Sequence, residues 1–253
     1  MDRIADAGRC TVTRKWQPLL AMAAFSALGS IADAAECPGD ISNAQRLVLV
    51  TTSSMDTLSA RMQLFVRNDS DGAWAPHGPA EPAVVGQAGL AWGYPFIRFK
   101  REGEPEKFEG DKRTPAGFFR IGPSFGFARS ALPGYILVKA GETVCVEDPT
   151  SPHYNKITTR AELGPGAHVD EMRQTPLYRV GLFVEYPTHR ASRRGSCIFI
   201  HIWSTPRKGT AGCIAIPEDR VRMLQYFSLY GATLAVLPQS AIKQFSKCLR
   251  GIN

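Results

Sequence analysis

The segment SCIFIHIW at residues 196–203, followed closely by TAGC at residues 210–213, carries the clearest pattern in this chain. Apolar residues alternate along the first segment, which is typical of a β-strand with two different faces. In an extended strand, Cys197, Phe199 and His201 share one face, and the isoleucines between them share the other. We therefore expect a strand that buries its isoleucines in the core and leaves His201, near the strand end, facing a cleft.

A short turn-forming loop separates this histidine from a cysteine that follows a glycine. The loop STPRKG occupies residues 204–209, and Cys213 comes after Gly212. A cysteine needs a nearby base or cation to form a thiolate at neutral pH, and imidazole is the usual partner. Gly212 allows the backbone to approach a reacting carbonyl closely, so the N–H groups of Gly212 and Cys213 are candidate oxyanion donors. The alternative is a buried structural cysteine beside an unrelated histidine. A Cys–His pair without further context favours this alternative.

The first 34 residues are expected to be a secretory signal peptide. Basic residues come first, residues 16–31 are mostly apolar and uncharged, and the ADA sequence at residues 32–34 is a small-residue cleavage site. An uncleaved anchor is the alternative. Residues 35–253 are then predicted to form one exported domain in the periplasm or cell envelope, without stable membrane insertion after cleavage of the leader.

Composition and charge are those of a globular protein with a moderate positive excess. The 253 residues are 44% hydrophobic and 21% charged, and the formal net charge is +7. Basic residues around the His201–Cys213 region either keep the surface solvated or attract an acidic substrate or a polyanionic envelope polymer. Nucleic acid is not an expected partner, because no recognisable nucleic-acid motif is present. No metal is expected either, since the spacings C-x-x-C and H-x-x-x-H do not occur.

The cysteine count points to one unpaired thiol. One of the six cysteines lies in the leader, and an odd number in an oxidising compartment leaves at least one without a partner. Cys37 and Cys248 lie at the two ends of the domain and are predicted to pair, because chain termini are often close in space. Cys145 and Cys197 form either a second disulfide or two buried thiols, and Cys197 is expected to be structural. Cys213 is then the unpaired cysteine.

The rest of the chain consists mainly of short segments rich in β-forming residues and bounded by turn residues. The predicted strands are residues 46–50, 62–66, 117–121, 135–138, 177–185, 196–203 and 233–237. One helix is predicted after TAGC, beginning at Pro217 with acidic residues next to it and ending at Gly231. The fold class is therefore mainly β, with one helix after the Cys213 turn.

Several segments resemble, in the same order, the L,D-transpeptidase catalytic domain family (YkuD-type). They are GQAGLAWG at 86–93, EGDKRTPAGFF at 109–119, VEDPTSPHYN at 146–155, GSCIFIHIW at 195–203 and TAGC at 210–213. The resemblance covers roughly residues 45–237. TAGC resembles a branch of the family in which alanine, here Ala211, replaces the usual histidine.

The resemblance implies a compact β-sandwich or barrel-like fold that acts on peptidoglycan stem peptides. Cys213 would attack the carbonyl of the L-centre residue of a stem tetrapeptide and release D-alanine. The acyl group would then pass to an amine, giving a 3–3 cross-link or attachment of an envelope protein. His201 would move the proton, no cofactor is implied, and a carbapenem would acylate the same cysteine. Hydrolysis as an L,D-carboxypeptidase and a non-catalytic envelope-binding domain are the alternatives.

The resemblance also indicates which residues are expected to contact substrate. These substrate-binding candidates are Thr210, Ala211, Trp203, Asp148, Tyr154 and Asn155. The last three have a second interpretation as hydrogen-bonding residues that shape a loop. A partner for the second ring nitrogen of His201, such as a backbone carbonyl, is also expected.

Overall fold

The segments with alternating apolar residues form strands in the computed structural model, which describes residues 37–252. The predicted leader lies outside the described residues. In chain order the strands are β1 (Arg46–Thr52), β2 (Ser59–Val66), β3 (Ala75–Pro76), β4 (Glu81–Val84), β5 (Leu90–Trp92), β6 (Thr114–Gly126), β7 (Ile136–Leu137), β8 (Thr143–Val146), β9 (Ile157–Thr159), β10 (Val169–Asp170), β11 (Val180–Glu185), β12 (Phe199–Ile202), β13 (Ile214–Ile216) and β14 (Thr233–Pro238). The α-helices are α1 (Gly39–Ser42), α2 (Glu218–Phe227) and α3 (Gln239–Ile242), and short 3-10 helices span Tyr94–Phe99, Arg160–Glu162, Met172–Gln174, Pro176–Arg179 and Lys243–Phe245.

Eight of these strands close into a mixed barrel. They pair in the order β1, β14, β6, β11, β12, β13, β4 and β2, and β2 returns to pair with β1. The β1–β14 and β12–β13 pairs are parallel, and the other neighbours in the barrel are antiparallel. Closure leaves every barrel strand with two neighbours, so the wall has no open edge. The predicted mainly-β class is confirmed, as a barrel with a few short helices.

The alternation predicted for β12 is confirmed by its packing. The isoleucines at positions 198, 200 and 202 belong to the main hydrophobic core. Cys197, Phe199 and Cys213 belong to a second, smaller cluster. We call this second group of buried residues the site cluster; it also contains Phe125, Val138, Cys145 and Met172. The side chains on the two faces of β12 therefore pack into two different hydrophobic clusters.

A small separate sheet, which the sequence patterns did not predict, contributes to the site cluster. Its strands pair antiparallel in the order β10, β8 and β9. Cys145 of β8 forms a disulfide with Cys197, just before β12, at a Cα–Cα distance of 6.0 Å. This bond resolves the alternative left open by the sequence and joins the small sheet covalently to the barrel.

The second disulfide confirms a sequence prediction. Cys37 and Cys248 pair at a Cα–Cα distance of 5.3 Å, and the buried Trp74 indole donates to the carbonyl of Cys248 at 2.9 Å. Cys213 is the free cysteine among the described residues. Two disulfides are typical of proteins that fold in an oxidising compartment. Within residues 37–252, no helix is long and apolar enough to cross a membrane.

Three predicted strands are shorter in the structure. The strand predicted at 135–138 spans only Ile136–Leu137. The predicted strand at 177–185 begins only at Val180, because Pro176 starts a 3-10 helix that continues to Arg179. The predicted strand at 196–203 begins only at Phe199, because Cys197 has a φ of +54°, which is not a strand conformation.

Helix α2 follows β13, as predicted, and supports the strands under the site. It begins at Glu218 after Pro217 and ends at Phe227, four residues before the predicted end at Gly231. The buried Gln225 side chain donates to the carbonyl of Phe125 in β6 at 3.1 Å and to that of Gly181 in β11 at 2.9 Å. Gly181 lies opposite His201 in the β11–β12 pair, so these bonds satisfy buried backbone carbonyls of the strands beside the site.

Removing the terminal disulfide should lower stability without unfolding the barrel. The Cys37–Cys248 bond closes a loop of 211 residues, so Cys37→Ser with Cys248→Ser should reduce the free energy of unfolding by about 2–5 kcal/mol. Urea denaturation under non-reducing conditions, followed by tryptophan fluorescence, measures this difference. An unchanged midpoint with an unchanged slope would contradict the expectation.

Candidate active site

The pairing of β12 with β13 places His201 and Cys213 on one face of the sheet. His201 lies opposite Ala215, and Ile200 lies opposite Ile214, in parallel register. Cys213 directly precedes β13, so extending this register places it beside Phe199. His201 is then two positions along and one strand across, which separates the two Cα atoms by roughly 8 Å. Their side chains point to the same side because successive even steps along a strand share a face.

The thiol of Cys213 is buried and held by backbone atoms. The Phe199 N–H donates to Cys213 Sγ at 3.3 Å, and the thiol donates to the carbonyl of Cys197 at 3.6 Å. Within the described residues, Cys213 and His201 form no hydrogen bond with each other. Burial raises the pKa of the Cys213 thiol to about 12; the carboxylates of Asp170 and Glu147 add to the rise, and the Phe199 N–H opposes it. The resting group is therefore a neutral thiol.

The orienting partner of His201 is the carbonyl of the next residue. His201 Nδ1 lies 2.8 Å from the Ile202 oxygen. A carbonyl only accepts hydrogen bonds, so we assign the proton to Nδ1, which leaves Nε2 unprotonated. Burial lowers the pKa of His201 to about 4, so the ring is neutral near pH 7 and Nε2 is ready to take a proton. The expected backbone partner is thus identified.

The turn before Cys213 is fixed by two threonine hydroxyls. Thr210 Oγ1 donates to the Cys213 carbonyl at 2.6 Å, and Thr114 Oγ1 donates to the same carbonyl at 3.0 Å. Thr210 Oγ1 also accepts the Gly212 N–H at 3.1 Å. In this structure the Gly212 N–H is therefore engaged by Thr210 Oγ1, and its role as an oxyanion donor stays a prediction. Gly212 itself has a φ of +154°, which favours glycine.

The loop that carries Thr210 is docked against the segment after β4. The Thr210 N–H donates to the Val85 carbonyl at 3.0 Å, and the Gln87 N–H donates to the Thr210 carbonyl at 2.8 Å. Gly86 lies so close to the chain at Lys112 that an added Cβ would be 2.3 Å from its carbonyl oxygen. Glycine at 86 thus permits the close approach that brings Thr114 and Thr210 to Cys213.

His201, Cys213 and the loop open into one small cavity. Its volume is about 190 Å³, and Tyr178, Trp203, Thr210 and Ala211 line it together with the two reactive residues. Beside His201, Ala215 contributes only a methyl group on the cavity side. A cavity of this size accommodates part of a peptide, so the remainder of a larger ligand would extend into the open cleft. A thiol, a neutral imidazole base and a bound carbonyl are the components of acyl transfer.

Comparison with known families identifies the domain that carries the candidate site. The YkuD model, described as the L,D-transpeptidase catalytic domain, matches residues 49–236. The chain belongs to this family. Comparison with curated proteins finds none that matches the chain. L,D-transpeptidase family membership implies an enzyme whose substrates are peptidoglycan peptides.

The substrate-binding candidates of this L,D-transpeptidase domain divide into two groups. Thr210, Ala211 and Trp203 line the cavity. Asp148, Tyr154 and Asn155 lie outside it. Asp148 accepts from the backbone and hydroxyl of Thr150, and Tyr154 donates to Glu109 at 2.6 Å. The Asn155 side chain accepts the Cys197 N–H at 2.9 Å and donates to the Tyr186 carbonyl at 2.8 Å. The interpretation of these three residues as loop-shaping hydrogen-bonding groups fits their observed contacts.

Tyr178 is a cavity residue that sequence reasoning missed. It follows Pro176 in the 3-10 helix, and its ring meets the His201 ring edge-on at a centroid distance of 5.2 Å. The Tyr178 hydroxyl interacts with the Asp170 carboxylate of β10, and burial raises the pKa of both groups. Tyr178 lies within the segment predicted as the strand at 177–185, so no local sequence pattern marks it as a site residue.

Among the described residues, no group of three His, Cys, Asp or Glu side chains is arranged to hold a metal ion.

The lowered pKa of His201 predicts a specific acid sensitivity. A depressed folded-state pKa contributes stability above the unfolded value of 6.5, and this stability is lost as pH falls toward about 4. His201→Asn should retain a donor for the Ile202 carbonyl without titrating. The difference in unfolding free energy, wild type minus variant, should therefore fall by about 3 kcal/mol between pH 7 and pH 4. Urea denaturation at the two pH values measures it; a pH-independent difference would show that His201 titrates normally.

The two bonds of Thr210 should be visible in stability. Thr210→Val removes a donor to the Cys213 carbonyl and leaves the Gly212 N–H without its acceptor, which should cost about 1–3 kcal/mol. Thr210→Ser retains the hydroxyl and should stay within about 1 kcal/mol of wild type. Equilibrium denaturation of the matched pair distinguishes the hydroxyl from the methyl group; equal losses would assign the effect to packing.

Proposed function

We propose that this protein is a peptidoglycan L,D-transpeptidase that uses Cys213 as nucleophile and His201 as general base and acid. The observation that carries the proposal is that the free thiol and the neutral imidazole share one sheet face and open into the same cavity. Family membership supports peptidoglycan peptides as substrates.

Proton transfer accompanies the attack rather than preceding it. Burial raises the pKa of the thiol to about 12 and lowers that of the imidazole to about 4, so a thiolate–imidazolium pair does not form before substrate binds. When the L-centre carbonyl of a stem tetrapeptide lies next to Cys213 Sγ, His201 Nε2 takes the thiol proton as the C–S bond forms. His201 then gives this proton to the departing amine of D-alanine, which leaves a thioester on Cys213.

The second half-reaction reverses these roles. A side-chain amine of a second stem peptide, or of an envelope protein, attacks the thioester carbonyl. His201 Nε2 removes a proton from this amine and returns it to Sγ as the C–S bond breaks. One amide bond is broken and one is formed, so the reaction needs no oxidant, nucleotide or other cofactor.

The tetrahedral intermediate requires hydrogen-bond donors near Cys213. In this proposal the Cys213 N–H is the first donor. The Gly212 N–H becomes the second only when Thr210 Oγ1, which also donates to the Cys213 carbonyl, no longer accepts it.

The compartment proposed for this activity is the cell envelope. Two disulfides, the predicted leader and family membership all support an exported protein that meets peptidoglycan in the periplasm.

The decisive experiment is intact mass spectrometry of the purified protein with a disaccharide-tetrapeptide and, separately, with a carbapenem. Wild type should gain an acyl adduct on Cys213 and produce a cross-linked dimer from the tetrapeptide. Cys213→Ala should show neither, and His201→Asn should acylate roughly 10²–10⁴-fold more slowly because it lacks the base.

Each other outcome has a definite meaning. Loss of D-alanine without a cross-linked product, also when amine acceptor is in excess, would replace the transpeptidase by an L,D-carboxypeptidase. Folded protein that neither forms an adduct nor turns over several stem peptides would contradict an enzymatic function and leave an envelope-binding domain. Thermal unfolding of each variant confirms that it is folded.

A further inference from the structure

Both hydrogen-bond partners of the Cys213 thiol come from one short backbone segment. This segment, residues 197–199, supplies the Cys197 carbonyl at 3.6 Å and the Phe199 N–H at 3.3 Å. We call it the thiol cradle. The position of Sγ relative to a bound carbonyl thus depends on how firmly the cradle is held.

The cradle is not held by the barrel alone. Strand β12 begins only at Phe199, and Cys197 adopts a φ of +54°, an unfavourable conformation for a residue with a side chain. Surrounding contacts must therefore maintain it. The Asn155 side chain accepts the Cys197 N–H at 2.9 Å and donates to the Tyr186 carbonyl at 2.8 Å.

The Cys145–Cys197 disulfide is the covalent support of the cradle. Cys145 is fully buried in β8, the central strand of the small sheet, and lies opposite Asp170 of β10. Asp170 in turn interacts with Tyr178, whose ring packs against His201. The disulfide thus joins the cradle to β8. Through the pairing of β8 with β10, it also connects the cradle to Asp170, the partner of Tyr178.

We propose that the Cys145–Cys197 disulfide is a positioning element of the active site, which holds the thiol cradle so that Cys213 attacks a bound acyl donor efficiently. The inference rests on the proposed acyl transfer at Cys213. The bond would also make the activity sensitive to thiol reductants. A dithiol reduces the bond by supplying two electrons and two protons, which yields two cysteine thiols and the oxidised, cyclic form of the dithiol. The barrel would remain folded, but the cradle would no longer be fixed.

The protein provides a matched control. Cys145→Ser with Cys197→Ser removes the disulfide beside the thiol, whereas Cys37→Ser with Cys248→Ser removes a disulfide that packs in the main core. In the exported protein, Cys213 is the free thiol in both variants. A general loss of stability affects both; a positioning effect is confined to the first.

The first measurement is the pH dependence of alkylation of Cys213 by iodoacetamide, followed by mass spectrometry. In wild type and in the control, the rate should rise continuously through pH 10, because the pKa of the buried thiol is about 12. Without the Cys145–Cys197 bond, alkylation near pH 8 should be faster and should level off closer to the ordinary thiol pKa of about 8.5.

The second measurement is acylation by the stem tetrapeptide and the carbapenem, at a temperature where thermal unfolding shows every variant to be folded. Loss of the Cys145–Cys197 bond should lower the acylation rate roughly tenfold or more, because small displacements of a nucleophile are costly. The control should stay within about twofold of wild type. Faster alkylation combined with slower acylation is the signature of a misplaced, rather than an unfolded, nucleophile.

A third variant keeps the test decisive if the first does not fold. Asn155→Gly tolerates the φ of +62° at this position but removes the acceptor of the Cys197 N–H, so it loosens the cradle with both disulfides intact. It should change alkylation and acylation in the same directions.

The proposal is overturned if the folded variants match wild type in both measurements, or if the control changes as much. If wild type is not acylated at all, the proposed function fails, whereas the alkylation profile still reports on the cradle.

Discussion

The parallel pairing of β12 with β13 is the constraint on which the active site depends. It places His201 opposite Ala215 and brings Cys213 beside Phe199, so one ladder fixes both candidate catalytic residues. Parallel neighbours need a crossover connection, and here the loop at residues 203–213 provides it. That loop is held by Gly86, Thr114 and Thr210, which explains why segments far apart in sequence converge on the Cys213 turn. Displacing the loop would move Cys213, the proposed nucleophile.

Burial favours the neutral forms of both Cys213 and His201. Cys213 lies in the site cluster, where burial disfavours the thiolate, and the neighbouring carboxylates of Glu147 and Asp170 disfavour it further. Burial likewise disfavours the imidazolium form of His201. A neutral thiol in an exported protein resists adventitious oxidation better than an exposed thiolate does, because the thiolate is the reactive form. In the proposed mechanism, the thiol loses its proton only in contact with the acyl donor.

Local patterns in the sequence predicted a large part of the fold and the two residues at the centre of the site. Strand alternation assigned the isoleucines of β12 to the core and His201 to the opposite face, since side-chain direction follows from a period of two. The terminal disulfide was predicted from the proximity of chain ends. The small sheet was missed, because β9 and β10 are only two or three residues long and carry no alternation. The sequence predicts a strand at Tyr178 because β-forming residues continue from it into β11, but the structure has a 3-10 helix there.

The sequence by itself determined the mainly-β class, the strand faces, the helix after Cys213 and the identity of the thiol and the imidazole, because each depends on neighbours in the chain. Only the tertiary structure decided that the strands close into a barrel and that Cys145 pairs with Cys197. It also decided that the Gly212 N–H is occupied by Thr210, and that Asn155 holds the backbone of Cys197 rather than lining the cavity. These features join residues from distant segments, and hydrogen-bond geometry between such segments is fixed only when the whole chain packs.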